Sequence, residues 1–187
     1  MGRRLLILGP PGVGKGTQAA MLCRAIGIPH VSTGVMLRDH VERGTELGAR
    51  AKEIMDLGDL VPDDIVIAMV EERLAVPDAG CGFLLDGFPR TAPQAEALDA
   101  VLGESRALQC VINLEAPEAE VAQRILSRGR SDDTEEAVRT RFEVYQTQTA
   151  PLIAFYEGRD LLTRVDGVGE IGEVLARIVA VLASEGS

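Results

Sequence analysis

A glycine-rich loop near the start of the chain constrains its fold more than any other segment. Residues 9–17 read GPPGVGKGT and follow the apolar run LLIL at 5–8. Gly9 to Lys15 fits the phosphate-loop pattern Gly-x-x-x-x-Gly-Lys. Glycines let backbone N–H groups turn toward a phosphate, and the helix that follows directs its positive end at the same point. The order strand, loop, helix therefore predicts nucleoside triphosphate binding, with Lys15 reaching the outer phosphates.

The loop departs from the general pattern at one position. A Ser or Thr whose hydroxyl binds Mg²⁺ normally follows the lysine, whereas here Gly16 follows it and the hydroxyl comes at Thr17. The shift weakens the case for a direct bond between Thr17 and a metal.

Composition limits the classes of protein to which the chain can belong. Its 187 residues suit one domain (1–187), and 46% hydrophobic content supports an aliphatic core. A net charge of −10 argues against nucleic-acid binding, and no apolar run is long enough to cross a membrane. The three cysteines lack metal-ligand spacing, so we expect reduced thiols and no zinc. A cytoplasmic protein is the expectation.

Strand-like and helix-like segments alternate along the chain. The predicted strands are residues 4–8, 30–32, 83–86, 108–114 and 161–165. The predicted helices are residues 16–26, 34–42, 47–57, 63–74, 92–101, 117–126, 134–156 and 169–183. This alternation predicts an α/β protein, with a five-stranded parallel sheet between two helical layers as in phosphate-loop NTPases. Asp133 and Glu136 look like a capping box, and Pro151 should kink the long helix.

A second candidate site follows the third predicted strand. Asp86 ends that strand, where a carboxylate can hold Mg²⁺ directly or through water, and Arg90 could clamp a phosphate. Ligands of open parallel sheets bind beyond the carboxyl ends of the strands. An arginine cluster lies further along this acidic chain, at 124, 128, 130, 139 and 141. His30 and His40 have no carboxylate or serine partner evident in the sequence, and we interpret both as structural or surface residues.

Together these motifs resemble the adenylate kinase family. They are GPPGVGKGTQA at 9–19, STGVMLR at 32–38, GDLVPD at 58–63, GFLLDGFPRT at 82–91 and RGRSDDTEEAVRTR at 128–141. The match runs in order from Arg4 to about Val181. The resemblance implies the reaction in which Mg-ATP and AMP give two ADP, reversibly, with Mg²⁺ as cofactor and no nucleic-acid or membrane partner. It also implies a monomer.

The resemblance further implies a role for each matching residue. The implied catalytic residues are Lys15, Arg90, Arg128, Arg130 and Arg141. The implied ATP-binding residues are Gly12, Val13, Gly14, Lys15, Gly16, Thr17, Arg124, Arg128 and Gly169. The implied AMP-binding residues are Thr33, Gly34, Arg38, Asp59, Leu60, Val61, Gly87, Phe88, Pro89, Arg90, Gln94, Arg130 and Arg141. Asp86 would hold Mg²⁺ through water, and the Phe88–Pro89 peptide is typically cis.

Two segments of the chain differ from the pattern of other members of the resembling family. Residues 32–61 form the expected monophosphate-binding insertion, in which Val35 replaces the usual acid after Thr-Gly. Residues 127–133 form a short lid, whereas long-lid members insert a small domain there, often with a four-cysteine zinc site. The chain therefore resembles a short-lid variant, and the two segments are expected to close over the nucleotides.

Other functions stay open at this point. A UMP/CMP kinase shares much of the pattern, but Thr33, Thr91 and Gln94 favour adenine at the monophosphate site. A catalytically inactive nucleotide-binding regulator should have lost phosphate clamps, and here the arginines are present. A motor or switch ATPase would call for a water-activating residue, whereas two phosphate-clamping regions suit two nucleotides. The acceptor, an AMP phosphate oxygen, is already anionic and needs no general base.

Overall fold

A sheet of five parallel strands forms the centre of the structure, a computed structural model that describes residues 3–130 and 133–184. The strands are β1 (Arg4–Leu8), β2 (His30–Ser32), β3 (Phe83–Asp86), β4 (Cys110–Glu115) and β5 (Leu162–Asp166). Their spatial order is β2-β3-β1-β4-β5. The sheet is the predicted one, with β4 and β5 each starting and ending slightly later than expected.

Helices connect the strands. They are α1 (Lys15–Ile26), α2 (Thr33–Glu42), α3 (Glu46–Leu57), α4 (Asp63–Ala75), α5 (Ala92–Leu102), α6 (Glu118–Arg128), α7 (Glu135–Val144), α8 (Pro151–Glu157) and α9 (Ile171–Ser184). Short 3-10 turns at Pro77–Cys81 and Glu104–Arg106 were not predicted. Within the described part of the chain, no helix has the length and apolar character to cross a bilayer.

The side chains of β1 alternate between two cores, one on each face of the sheet. Leu6 and Leu8 join the core that contains Leu98 of α5. Leu5 and Ile7 join the core on the other face, with residues of α1 and α9. Successive side chains of a strand point to opposite faces, so a strand apolar throughout needs cover on both sides. The three-layer α/β/α prediction is confirmed.

Two local predictions for the segment from residue 133 to residue 156 require correction. The cap of α7 is Thr134, whose hydroxyl accepts from the Ala137 N–H at 3.1 Å, and not Asp133. The carboxylate of Asp133 instead pairs with Arg141 at 2.8 Å.

The predicted long helix is interrupted by a π turn at Tyr145–Thr149, in which the Ala150 N–H donates to the Tyr145 carbonyl at 2.8 Å. Pro151 has no N–H to continue the ladder, and it begins α8 instead.

Candidate active site

A cleft of about 950 Å³ lies at the carboxyl ends of the strands. It receives side chains from the segments that leave β1, β2, β3 and β5, as expected for an open parallel sheet. Most residues predicted from the sequence line it. They are Gly12, Val13, Gly14, Lys15, Gly16, Thr17, Thr33, Gly34, Arg38, Asp59, Leu60, Val61, Asp86, Gly87, Pro89, Arg90, Gln94, Arg124, Arg130, Arg141 and Gly169.

The phosphate loop connects β1 to the first turn of α1. Gly12 has φ +83°, and a Cβ at this position would collide with the Val121 carbonyl of α6, so the loop depends on glycine here. The Lys15 ammonium donates to the carbonyls of Gly9 at 2.7 Å and Pro10 at 2.9 Å. The loop thus places a cation beside the N-terminus of α1, where the helix dipole also favours an anion.

Asp86 is the buried carboxylate at the end of β3, only 7% exposed. Its Oδ2 lies 3.1 Å from His30 Nε2 and accepts from the Ser32 hydroxyl at 3.2 Å. Burial by itself would raise the pKa of Asp86. The hydrogen bond from His30 and the nearby positive charge of Lys15 outweigh burial, with a further contribution from Arg90, and hold this pKa below its ordinary value. Asp86 is therefore an anion at neutral pH.

The Asp86 carboxylate fits a magnesium ion held through water. Both of its contacts fall on Oδ2, which leaves Oδ1 able to accept from a metal-bound water. Among the described residues, no group of three or more His, Cys, Asp or Glu could hold a metal. A site with one protein carboxylate, completed by phosphates and water, is typical of Mg²⁺ rather than of a metal enclosed by protein.

Arginines from separate elements converge on the other side of the cleft. Arg90 donates through Nε to the Gly87 carbonyl at 2.9 Å. Arg141 pairs with Asp133 at 2.8 Å and also donates to the Met55 carbonyl at 3.4 Å. Burial lowers the pKa of Arg90, and the like charge of Arg141 lowers it further against the opposing effect of Asp86. Two guanidinium groups near enough for one to lower the pKa of the other suit a polyanionic ligand.

The β2–α2 junction and the start of α5 form one end of the cleft. The Thr33 hydroxyl donates to the Gly87 carbonyl at 2.8 Å and is 2% exposed. The Gln94 side chain, 1% exposed, accepts from the Arg90 N–H at 2.7 Å. The guanidinium of Arg38 lies against Gly34. Val35, which replaces the usual acid of the resembling family, has 55% of its surface exposed.

The opposite end of the cleft is bounded by the loop after β5. The Gly167 N–H donates to the Glu115 carbonyl at 2.7 Å, and Arg124 donates to the Gly167 carbonyl at 3.2 Å. Arg177 of α9 donates to the carbonyls of Asp166 at 3.0 Å and Val168 at 2.5 Å. The backbone around Gly169 is therefore held in place from both sides.

Comparisons with known proteins agree with this geometry. The sequence model of the family described as Adenylate kinase matches residues 7–161. A protein of Stenotrophomonas maltophilia named Adenylate kinase is 51% identical over 184 residues, covering 96% of this chain and 98% of the relative. Those of Thermus thermophilus and Thermobifida fusca are 51% and 52% identical, each covering 97% of this chain and 98% of the relative.

The chain belongs to the adenylate kinase family. The phosphate loop and the arginines 38, 90, 130 and 141 of its cleft lie in the motifs that carried the resemblance, whereas Gln94 and Arg124 lie outside them. All three of these relatives are named Adenylate kinase. Their names do not favour the alternative functions of a UMP/CMP kinase or an inactive regulator.

Some residues of this adenylate kinase family member do not fit the sequence-based expectations. Phe88 is 1% exposed, and its side chain belongs to the hydrophobic core rather than to the cleft. The Phe88–Pro89 peptide is cis, as the resemblance implied. Of the predicted lid, Ser131 and Asp132 lie outside the described residues, as does the side chain of Arg128.

His30 has a carboxylate partner that was not evident in the sequence and it lines the cleft, while its contact with Asp86 remains compatible with the expected structural role. Its signal in the sequence was the spacing of His30 and Ser32, which puts both side chains on one face of a strand. Only the position of β2 beside β3 brings that face to Asp86. His40 contacts Thr45 at 3.0 Å, which agrees with its predicted structural role.

Proposed function

We propose that this chain catalyses reversible transfer of the terminal phosphoryl group of Mg-ATP to AMP, giving two molecules of ADP. The observation that carries the proposal is the meeting of two phosphate-binding regions in one cleft. The Lys15 loop forms one of them, and Arg90 with Arg141 forms the other. The relatives named adenylate kinase match nearly the whole chain at about half of its positions, which supports the same reaction.

The ATP site, in this proposal, lies on the phosphate-loop side. The backbone of residues 12–17 cradles the phosphates at the N-terminus of α1, and Lys15 follows the transferring charge. Arg124 and the backbone near Gly169 border the adenine, since both line the cleft beside the loop that follows β5. The contacts of Arg124 and Arg177 with that loop support a preformed adenine surface.

The AMP site lies between the insertion (residues 32–61) and the start of α5. Arg38 and Arg90 clamp the AMP phosphate, while Thr33, Gln94 and the backbone of residues 59–61 surround the base. Their shared position on one wall of the cleft supports this assignment. Gly34, Gly87 and Pro89 complete the wall, and we assign Phe88 a packing role behind it.

Catalysis follows from alignment and positive charge. The transition state of phosphoryl transfer spreads negative charge over the equatorial oxygens, which Lys15, Arg90, Arg128, Arg130 and Arg141 would stabilise. The AMP phosphate oxygen is already an anion, so no side chain has to remove a proton. Asp86 would hold Mg²⁺ through a water molecule, and the ion would supply positive charge that neutralises the ATP phosphates.

We further propose a monomeric enzyme of the cytoplasm. Cys23, Cys81 and Cys110 form no disulfide bonds in the structure, which suits a reducing compartment. Burial, with a smaller effect of the Asp86 charge, raises the pKa of Cys23 to about 12, so this thiol stays protonated and unreactive. Size-exclusion chromatography with light scattering tests the monomer directly.

A coupled assay of ADP formation tests the function. Wild-type protein with Mg-ATP is given AMP, CMP, UMP or GMP, and AMP should be the preferred acceptor. A preference for CMP or UMP would favour the pyrimidine kinase, and nucleotide binding without turnover would favour the inactive regulator. Arg38→Ala should raise the KM for AMP. Arg43→Ala, an exposed arginine that ends the same helix and pairs with Asp39, should leave it unchanged.

A further inference from the structure

The side-chain amide of Gln94 is held at both of its polar atoms. Its Oε1 accepts from the backbone N–H of Arg90 at 2.7 Å, and its Nε2 donates to Oδ1 of Asp63 at 2.7 Å. Gln94 is 1% exposed and lines the cleft, whereas Asp63, the first residue of α4, stands behind it. The amide therefore faces the cleft from a fixed support.

The chemistry of the two supports allows one orientation of the amide. A backbone N–H can only donate, and an ionised carboxylate can only accept. If the amide turned over, its NH₂ would face the Arg90 N–H and its oxygen would face the Asp63 carboxylate. Both contacts would then be mismatched in a buried site, where unsatisfied polar groups are costly.

Asp63 is itself fixed by the start of α5. The Thr91 hydroxyl donates to its Oδ2 at 2.9 Å and accepts from the Gln94 N–H at 3.3 Å. Thr91, Gln94 and Asp63 thus close a ring of hydrogen bonds between α4 and α5. The carboxylate cannot rotate away from Gln94 without losing the bond from Thr91.

The fixed amide has a second N–H and a second oxygen lone pair that the bonds to Arg90 and Asp63 do not use. Adenine presents the complement, because its N6 donates and its N1 accepts. A 6-oxopurine presents the reverse, because its O6 accepts and its N1–H donates. A 6-oxopurine would be matched only by the overturned amide, which Asp63 and the Arg90 N–H disfavour.

We propose that Asp63 is a specificity-determining positioning residue, which selects 6-aminopurine over 6-oxopurine monophosphates by fixing the orientation of the Gln94 amide. The inference rests on the proposed function, in which Gln94 borders the base of AMP. It adds a residue that lies behind the cleft and touches no substrate. Discrimination at such a site arises because the wrong base leaves buried polar groups unpaired.

The matched pair of substrates for the test is AMP and inosine 5′-monophosphate (IMP), which differ only at position 6 and in the proton on N1. The variant is Asp63→Asn, whose amide can accept from Gln94 or donate to it. One of the two mismatches of the overturned amide disappears. The ratio of kcat/KM for IMP to that for AMP should rise about tenfold or more. The KM for ATP should not change.

Asp64→Asn is the control, because it removes the same charge from the same helix turn at an exposed position. Its IMP to AMP ratio should equal that of the wild type. Asp63→Glu keeps a group that only accepts and should retain the preference for AMP. Asp63→Ser, whose hydroxyl donates or accepts, replaces Asp63→Asn if the latter does not fold, and the same rise is expected.

Two outcomes would overturn the inference. One is an unchanged ratio in folded Asp63→Asn or Asp63→Ser, and the other is an equal loss of activity with AMP and IMP, which indicates a structural role. Failure of the proposed function is a separate result, because wild-type protein would then not use AMP as acceptor. Equilibrium binding of AMP and IMP to each variant gives the same comparison without turnover.

Discussion

Lys15 is the residue on which the triphosphate side of the cleft most depends. Its ammonium is held by two carbonyls of its own loop, at 2.7 and 2.9 Å, and in the proposed function it contacts the outer phosphates of ATP. A phosphate can replace such neutral partners with a stronger, charge-assisted contact. In the proposed reaction the lysine would then stabilise the negative charge that grows during transfer.

Lys15→Ala should therefore reduce kcat strongly while the fold survives. Loss of one transition-state donor reduces the rate by about 10²- to 10³-fold. Steady-state assay of ADP formation measures the loss, and circular dichroism checks the fold. Lys52→Ala is the matched control, because Lys52 is the other lysine of the chain, lies exposed on α3 and pairs with Asp56. Near-normal turnover in Lys15→Ala would contradict the role assigned to Lys15.

The charge of Asp86 should make the free energy of unfolding depend on pH in the acid range. Its pKa in the folded protein lies below the ordinary value of 3.8. The stability linked to its charge is therefore fully present above that value and is lost as the pH falls through the folded-state pKa. Asp86→Asn has no such titration. Urea unfolding from about pH 6 to pH 2 should show a steeper loss of unfolding free energy in wild type than in the variant, and parallel curves would refute the assignment.

At the scale of elements, the contact between α2 and α3 depends on a helix position without a side chain. A Cβ at Gly48 of α3 would overlap the carbonyl of His40 in α2. The turn between the helices is fixed by Thr45, which caps α3 through the Gly48 N–H at 3.0 Å and contacts His40. The two helices of the insertion are thereby joined into one unit.

Gly48→Ala should destabilise this unit by about 1–3 kcal/mol, because the added methyl group forces the helices apart. In a chain of this size about 1 kcal/mol lowers the Tm by roughly 2–4 °C. Gly172→Ala is the control in α9, where the described residues leave open space around the added Cβ. The control should be neutral or more stable, by up to about 1 kcal/mol. Equal effects of the two changes in thermal melts would contradict the proposed overlap.

The sequence predicts an element or site well when the residues that define it are close together in the chain. The phosphate loop and the Asp86 to Arg90 segment follow apolar strands directly, so both were placed correctly. The partners of Asp86 could not be found in this way, because Ser32 meets it across the β2–β3 register and is 54 positions away in the chain. Asp63 was missed for the same reason, since it meets Gln94 where α4 and α5 begin side by side.

At the scale of the whole molecule, the insertion makes contact with both the core and α7. Its core side is anchored by Ser32, which bonds to Asp86, and by Val61, which is 5% exposed. Its far side meets α7, where Arg141 donates to the Met55 carbonyl and Gly58 lies against Ala137. Arg38 belongs to the insertion, whereas Lys15 and Arg90 belong to the core. The position of the insertion therefore sets the distance between these cations.

We predict that residues 32–61 move as one body when both nucleotide sites are filled, with hinges near Ser32 and Val61. Closure would exclude water as an acceptor and so prevent wasteful hydrolysis of ATP. For the predicted short lid at residues 127–133 we expect only local movement. Crystal structures with and without two adenosines joined by five phosphates, superposed on the sheet, measure both displacements. The joint formed by Gly48 and Thr45 should keep the angle between α2 and α3 unchanged while the pair swings. A fixed insertion in both structures would contradict closure, and a changed angle between α2 and α3 would contradict their motion as one body.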